Sequence, residues 1–464
     1  MPYGNMIKIS CILIFVSIFN SMQILKSLYI NQLFYWWLLG MAVCSFVSFF
    51  VGWLYPVAVG LLIVLLLFLT VDIFVLYSGK DGISASRVLP EMLSNGDENY
   101  IRIKVASNYR IPVRLRIIDE IPAQYQKRDF LIESRIESFS EEDYTYSLRP
   151  VQRGEYQFGK LNIFVLSPLR LVMRRFVFSD NAAVAAYPSF IQMKKYDLIA
   201  FSHNPFEYGL KKIRRIGHTM EFEQIKEYVQ GDDIRTINWK ATSKKAQLMV
   251  NQYQEEKSQP VYLLIDKGRS MQMPFNGMSL LDYAVNSTLA LSNIAIRKQD
   301  KAGVLTFSKK VEDRVPANRQ AGQMQKIMNA LYRIETNFLE SDFNRLYVEI
   351  KQIITQRSLL ILYTNFETTD ALQRQLPFLK AISKNHLLIV VFFKNTELNR
   401  LIDKKAENLN DVYDKIIAEK FAFEKRLIVR ELTRHGIQCV LSSPESLTID
   451  SINKYLEIKA RGMI

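Results

Sequence analysis

Residues 33–53 (LFYWWLLGMAVCSFVSFFVGW) and 57–77 (VAVGLLIVLLLFLTVDIFVLY) constrain the fold more than any other part of the chain, because residues 1–79 carry only three charged side chains, Lys8, Lys26 and Asp72. Each run is long enough to cross the hydrocarbon of a bilayer as a helix. In hydrocarbon a lone segment satisfies its backbone N–H and C=O groups only by being helical. Gly52 and Pro56 lie around a very short connection, so the pattern predicts a tight transmembrane hairpin. Tyr35, Trp36, Trp37, Trp53, Tyr55 and Tyr77 fall near the expected interfaces, where amphipathic rings settle. Asp72, the lone acid, marks either a polar contact between the spans or a position close enough to one end to reach water. Residues 7–25 are apolar but diluted by Ser10, Ser17, Asn20, Ser21 and Gln23. A third span, a signal peptide and a non-native extension ahead of Met22 all stay open there, and the lack of a small-residue cleavage site speaks against the signal peptide. With two spans or three, Lys26 and the large body share one side of the bilayer. The positive-inside tendency makes that side cytoplasmic, so the expected location is the cytoplasmic (inner) membrane, multi-pass.

The chain has 464 residues and a formal charge of +14, and the basic excess lies beyond the apolar region. Such a body suits anionic lipid as a neighbour. Nucleic acid is not an expected partner, because no interleaved aromatic and basic stripe is present to stack bases. Cys11, Cys44 and Cys439 offer no disulfide framework. His203, His218, His386 and His435 are scattered without the spacing of a zinc site.

Four regions follow from the pattern. Residues 1–80 are the membrane segments. Residues 81–180 change to short alternating runs (YIRIKVASN, VRLRIIDEIP, EYQFGKLNIFVL) broken by Gly96, Asn108, Pro122, Pro150, Gly154 and Pro168, the signature of an antiparallel β-sandwich. Residues 181–260 read as a connecting arm. Residues 261–464 alternate apolar strands (261–266, 303–307, 358–364, 386–393, 437–441) with helices, which predicts α/β architecture with a doubly wound parallel sheet and a C-terminal helical extension, the long charged helix 409–434 ahead of the last strand and a closing helix over 446–458.

Within the arm, residues 214–254 concentrate Tyr228, Gly231, Asp232, Asp233, Arg235, Asn238, Trp239 and Lys240. The spacing predicts a helix over 221–229 stopped by Gly231, which can take a positive φ. Either Asp232 or Asp233 can then cap a new turn, leaving the other for Arg235 or Lys240. Trp239 is expected to anchor that turn in apolar surroundings. A structural brace and a partner surface both fit this pattern. General acid/base chemistry by the aspartates does not, since no His, Cys or Ser stands beside them to complete a constellation.

This stretch, Tyr228-x-x-Gly231-Asp232-Asp233-x-Arg235-x-Ile237-Asn238-Trp239-Lys240-Ala241-Thr242, closely resembles the signature of the bacterial family called domain of unknown function 58. The likeness continues through IDKGRSM, MPFNG, LLDYAVNS, DKAGVLTFS, QRSLLILYTNFE and HLLIVVFF. A strand ending in Asp266 and followed by Gly268 and Ser270 also resembles the opening of a von Willebrand factor type A domain, whose metal site begins Asp-x-Ser-x-Ser. That resemblance implies Mg²⁺ held by Asp266 and Ser270 from the first loop, Ser341 with Asp342 beside it from the second, and Asn365 from the third. Gly268 lacks the first serine's hydroxyl and Asn365 is neutral where the family site has a charge, so the site is expected to be degenerate.

The family resemblance further implies a membrane-anchored, non-enzymatic adaptor that works with an AAA+ ATPase of the MoxR group in assembling or remodelling envelope or metal-containing complexes. A metal-dependent hydrolase and an outward-facing adhesion receptor are the alternatives. Against the hydrolase, the chain has no Gly-x-Ser-x-Gly elbow, no Walker phosphate loop, no His-Glu-x-x-His and no Cys–His constellation.

Overall fold

The computed structural model describes residues 26–463 except 80, 179–181, 202–219, 231, 256–257, 337, 404 and 406–407. The expectations for residues 7–25 and for Gly231 lie outside the described residues. The chain divides into two compact units: residues up to Leu93 with Glu98–Pro150 and Glu155–Ala186 form one, and Ser94–Asp97, Val151–Gly154 and Tyr187–Ile464 form the other.

The first unit is β-rich. Its largest sheet is antiparallel and five-stranded, in the order Leu28–Ile30, Val172–Phe178, Leu161–Leu166, Val113–Asp119, Ile132–Ile136. A three-stranded antiparallel sheet, Ile83–Val88, Asn99–Ser107 and Glu141–Leu148, contributes Ile103 and Val105 to a core shared with Leu115, Ile117, Ile163 and Val165. The alternation in Asn99–Ser107 sends every second side chain into that core, as a half-buried strand requires.

Two consecutive helices, Gln32–Ser48 and Leu54–Tyr77, lie between the strand Leu28–Ile30 and the other strands of these sheets. Only the second is long and apolar enough among the described residues to cross a membrane. The expected first span over 33–53 is cut short at Ser48. There the backbone tightens, with Phe49 N–H donating to Phe46 O and Phe50 N–H to Val47 O, and the chain turns toward the next helix.

Asp72 corrects its expected role, because it joins neither the other helix nor solvent. It is buried, and it accepts from Ser167 Oγ at 2.6 Å and from the backbone N–H groups of Leu169 and Leu171 at 3.3 Å each. A buried carboxylate persists only with such donors. The end of the same helix is held by Arg174, whose Nη1 donates to the carbonyls of Leu76 (2.8 Å) and Gly79 (2.9 Å), a cation set against otherwise unsatisfied carbonyls. Asn31 caps the first helix through Gln32 N–H and donates to Arg170 O, so the Ser167–Leu171 loop is gripped by groups from both helices.

The second unit is built on a six-stranded sheet. We number its strands β1 (Pro260–Asp266), β2 (Lys301–Phe307), β3 (Val311–Asn318), β4 (Leu359–Tyr363), β5 (Leu387–Phe393) and β6 (Gln438–Ser442). The order is β3-β2-β1-β4-β5-β6, parallel throughout except for the antiparallel β2–β3 edge. Its helices are α1 (Leu280–Arg297), α2 (Gln323–Tyr332), α3 (Phe343–Ile353), α4 (Thr369–Asn385), α5 (Thr396–Asp403), α6 (Leu409–Arg434) and α7 (Leu447–Ala460). Both faces are covered. Val261, Leu263 and Ile265 pack with residues of α1, α2 and α7, whereas Tyr262 and Leu264 pack with residues of α3, α4 and α6. This two-sided burial is why the central strands read as continuous apolar runs rather than alternating ones. The edge strand β3 (VEDRVPAN) was not expected from the sequence, since its charges and Pro316 are what an edge tolerates and a central strand does not.

The expected helix over 221–229 is a strand instead. Met220–Glu227 pairs antiparallel with Met249–Glu255, and the ladder of cross-strand bonds overrides the helical preference of a Glu-rich run.

Removing the Asp72 carboxylate should leave three donors of the Ser167–Leu171 loop without their acceptor. Asp72→Ala, assayed as full chain in lipid nanodiscs, is expected to lose about 1–3 kcal/mol of stability and to become cleavable by protease within that loop. Proteolysis indistinguishable from wild type would refute the assigned role.

Candidate functional site

The crevice lies where the parallel strands end, with β1 at the reversal of strand order. Asp266 closes β1 and is buried. Its Oδ1 accepts from Gly268 N–H at 2.8 Å and from Ser341 Oγ, and its Oδ2 accepts from Thr364 Oγ1 at 2.7 Å. Burial raises the carboxyl's pKa, and the three donors work against that rise by favouring the charged form. Thr364, the last hydroxyl before Asn365, was missed by sequence reasoning; its place at the end of a buried strand was the available signal.

Gly268 is required here by close approach. A Cβ at this position would lie 2.1 Å from Ser341 Oγ and 3.0 Å from Asp266 Oδ1. The space that a side chain at residue 268 would take is therefore filled by a serine hydroxyl arriving from another loop. Backbone bonds tie the same two loops together, with Arg269 N–H donating to Leu339 O at 3.0 Å and Thr336 Oγ1 to Lys267 O at 2.9 Å.

The remaining expected ligands do not converge on Asp266. Ser270 meets Asn365 only through its carbonyl, which accepts from Asn365 Nδ2 at 3.4 Å. Asn365 Oδ1 is taken by the ammonium of Lys425, 2.6 Å away, which also donates to Phe366 O at 2.5 Å. Asp342 does not supply the missing charge to the crevice, because it caps α3 by accepting from Arg345 N–H at 3.0 Å. Among the described residues no group of three or more His, Cys, Asp or Glu side chains is arranged to hold a metal. A hard divalent cation needs anionic oxygens free to coordinate. Here both oxygens of the one central carboxylate are engaged by donors, and a lysine ammonium stands beside Asn365, so the residues as arranged do not fit Mg²⁺. Lys425 itself, largely withdrawn from water, has its pKa pushed down to about 8 by burial.

A second constellation sits at the tip of the Met220–Glu227/Met249–Glu255 hairpin. Asp232 accepts from Val229 N–H and from Lys226 Nζ, each at 3.0 Å, and these bonds hold its carboxyl below the usual range. Asp233 caps the short turn Ile234–Thr236 by accepting from Arg235 N–H at 3.0 Å. Asn238 caps the helix Trp239–Lys245 through Ala241 N–H and donates across the hairpin to Asn251 Oδ1 at 2.8 Å. Thr242 Oγ1 accepts from Met249 N–H at 3.0 Å, and Tyr228 N–H donates to Leu248 O at 2.8 Å. The short polar side chains of the signature thus build the loop.

Its long side chains do not take part. Trp239 is 69 % exposed, so it is not the expected apolar anchor, and neither aspartate pairs with the side chain of Arg235 or Lys240, both of which are exposed. Val229 and Ile234 are also exposed, at 62 % and 69 %. The physical reason is size: among the described residues the two-stranded hairpin tip has no second layer in which an indole could be buried.

Fold and crevice together define a chain with a β-rich unit carrying a long apolar helix and a doubly wound α/β unit bearing an exposed aromatic and basic hairpin. Residues 224–415 match the family described as "Protein of unknown function DUF58". A curated relative, "Uncharacterized protein YeaD" of Bacillus subtilis (strain 168), is 22 % identical over 165 residues, which cover 36 % of this chain and 39 % of the relative. The matched region thus spans about two fifths of that relative's length. Among solved structures, the conserved hypothetical protein BatB from Bacteroides thetaiotaomicron aligns at 12 % identity and a TM-score of 0.28, covering 44 % of this chain and 98 % of that one. The PapD-like domain 7 of human CEP192 aligns at 9 % identity and a TM-score of 0.18, covering 23 % and 87 %.

Two outcomes follow for the crevice. Mg²⁺ should neither raise the melting temperature of the full chain nor give saturable heat in calorimetry, and chelator should leave melting unchanged; a Mg²⁺-dependent rise of several degrees would contradict the fit described above. Gly268→Ser should push Ser341 off Asp266 and cost about 1–3 kcal/mol, whereas unaltered melting would mean that the close approach carries no constraint.

Proposed function

We propose that the protein is a membrane-anchored, non-enzymatic adaptor whose hairpin tip grips a partner, and that the partner is an AAA+ ATPase of the MoxR group. In this reading the two N-terminal helices insert as a hairpin in the cytoplasmic membrane, the body lies in the cytoplasm, and the α/β unit is von Willebrand factor A-like. Envelope or metal-containing complexes are the clients. The observation that carries the reading is the division of labour within the signature: Asp232, Asp233 and Asn238 are engaged in shaping the loop, while Arg235, Trp239 and Lys240 project from it. An exposed tryptophan flanked by cations is the composition of an interaction hot spot, because it offers large contact area at small entropic cost. A brace would bury the same residues. The hydrolase alternative gains nothing from Asp232 and Asp233, whose carboxylates already accept backbone and lysine donors.

The partnership is tested by mixing the full chain in nanodiscs with a purified AAA+ ATPase of the MoxR group and measuring both binding and ATP turnover. Trp239→Ala is expected to weaken binding by tenfold or more, since central aromatic anchors contribute about 2 kcal/mol or more, and to leave thermal stability within about 0.5 kcal/mol, as surface changes do. Equal binding by wild type and variant, or a large loss of stability in the variant, would refute the partner surface. A reporter fused after Lys459 tests orientation, and phosphatase activity on the periplasmic side would favour the adhesion-receptor alternative.

A further inference from the structure

Beside the Asp266 crevice, where β4, β5 and β6 end, the α/β unit contains a cavity of about 820 Å³. Phe393, Leu398, Phe421 and Leu441 contribute apolar wall, with α5 and α6 supplying one side. Lys425 lies in the lining next to Asn365. Two of its N–H bonds are accounted for by Asn365 Oδ1 and Phe366 O, both neutral acceptors. Glu367 also lines the cavity and its charge favours the ammonium, but among the described residues no direct ion pair joins the two. A largely buried cation whose direct hydrogen-bond acceptors are both neutral is unfavourable, and Glu367 offsets only part of that cost. Retained at a strand-end cavity, it is a functional signal. The volume falls within the range of about 300–1,000 Å³ typical of small-molecule sites, which combine apolar walls with a few placed polar groups.

We propose that this cavity binds a small organic acid, an apolar body ending in a carboxylate, with the carboxylate on the Lys425 ammonium and Asn365 and the body against Phe393 and Phe421. The third ammonium hydrogen supplies the charge-assisted bond, and Asn365 adds an amide N–H while its Oδ1 holds the ammonium. Nothing in this site depends on the hairpin tip, so it stands apart from the adaptor reading.

The test is calorimetry of the full chain in lipid nanodiscs with 4-phenylbutyrate, which matches the cavity in having an aromatic body and one carboxylate, and with its uncharged amide. Saturable binding of the acid at one site per chain is expected, with the amide at least tenfold weaker. Lys425→Met should weaken the acid by at least tenfold. Leu398→Trp, which fills the cavity and leaves Lys425 in place, should abolish binding, and it decides the matter should Lys425→Met fail to fold. No saturable heat with the acid, equal affinity for acid and amide, or undiminished binding in folded Lys425→Met or Leu398→Trp would each overturn the proposal. So would binding of a leucine-terminated peptide in the absence of any binding by 4-phenylbutyrate, since the occupant would then be a chain end rather than a small molecule.

Discussion

Asp266 is a carboxylate at the end of the central strand, withdrawn from water, and a charge in that position needs several donors to be tolerated. The donors come from three separate loops: Gly268 just beyond β1, Ser341 ahead of α3 and Thr364 just beyond β4. Because each loop is tied to the same group, their positions are coupled. The neighbouring features inherit that coupling. Asn365 follows Thr364 directly, its side chain spans from Ser270 O to Lys425, and Lys425 brings α6 against the end of the sheet.

The first unit uses the same physics at a different place. Asp72 is also a withdrawn carboxylate, carried on the helix Leu54–Tyr77, and its three donors belong to the Ser167–Leu171 loop between two strands of the five-stranded sheet. Arg174 and Tyr109 complete the joint by donating to the carbonyl of Leu76. A long apolar helix that ended in a flexible linker would leave the β-rich body free to swing. One that ends in a buried polar joint, with Leu69, Ile73 and Leu76 packed into the same core as Ile103 and Val105, carries the body as a fixed extension of itself.

At the hairpin tip, side-chain length sorts the roles. Asp, Asn and Thr have short reach and hydrogen-bond their own backbone, so they make caps and turns. Arg235, Trp239 and Lys240 are too long to serve there and extend outward. The signature was legible as a signature because these two kinds of residue are interleaved. Which kind would be inside was not legible, since that depends on whether another layer covers the hairpin. The same holds for residues 221–229, whose Glu-rich composition favours a helix and whose pairing with Met249–Glu255 makes a strand.

Local composition by itself determined the long apolar runs, the alternating strands of the β-rich unit and the continuous strands of the parallel sheet, because burial on one face, on both faces or in hydrocarbon each imposes its own period on the sequence. It also placed Asp266 and Asn365 at the ends of apolar strands, whereas Ser341 was singled out only by the resemblance to a von Willebrand-type site. Only the tertiary structure decided what those residues do. Ser341 and Thr364 reach Asp266 across 75 and 98 residues of chain, and Lys425 reaches Asn365 across 60. Such meetings are set by the order in which strands stack, β3-β2-β1-β4-β5-β6, and no local spacing encodes that order. A glycine at residue 268 therefore reads in the sequence as a lost ligand, and in the folded chain as the space that another loop's hydroxyl fills.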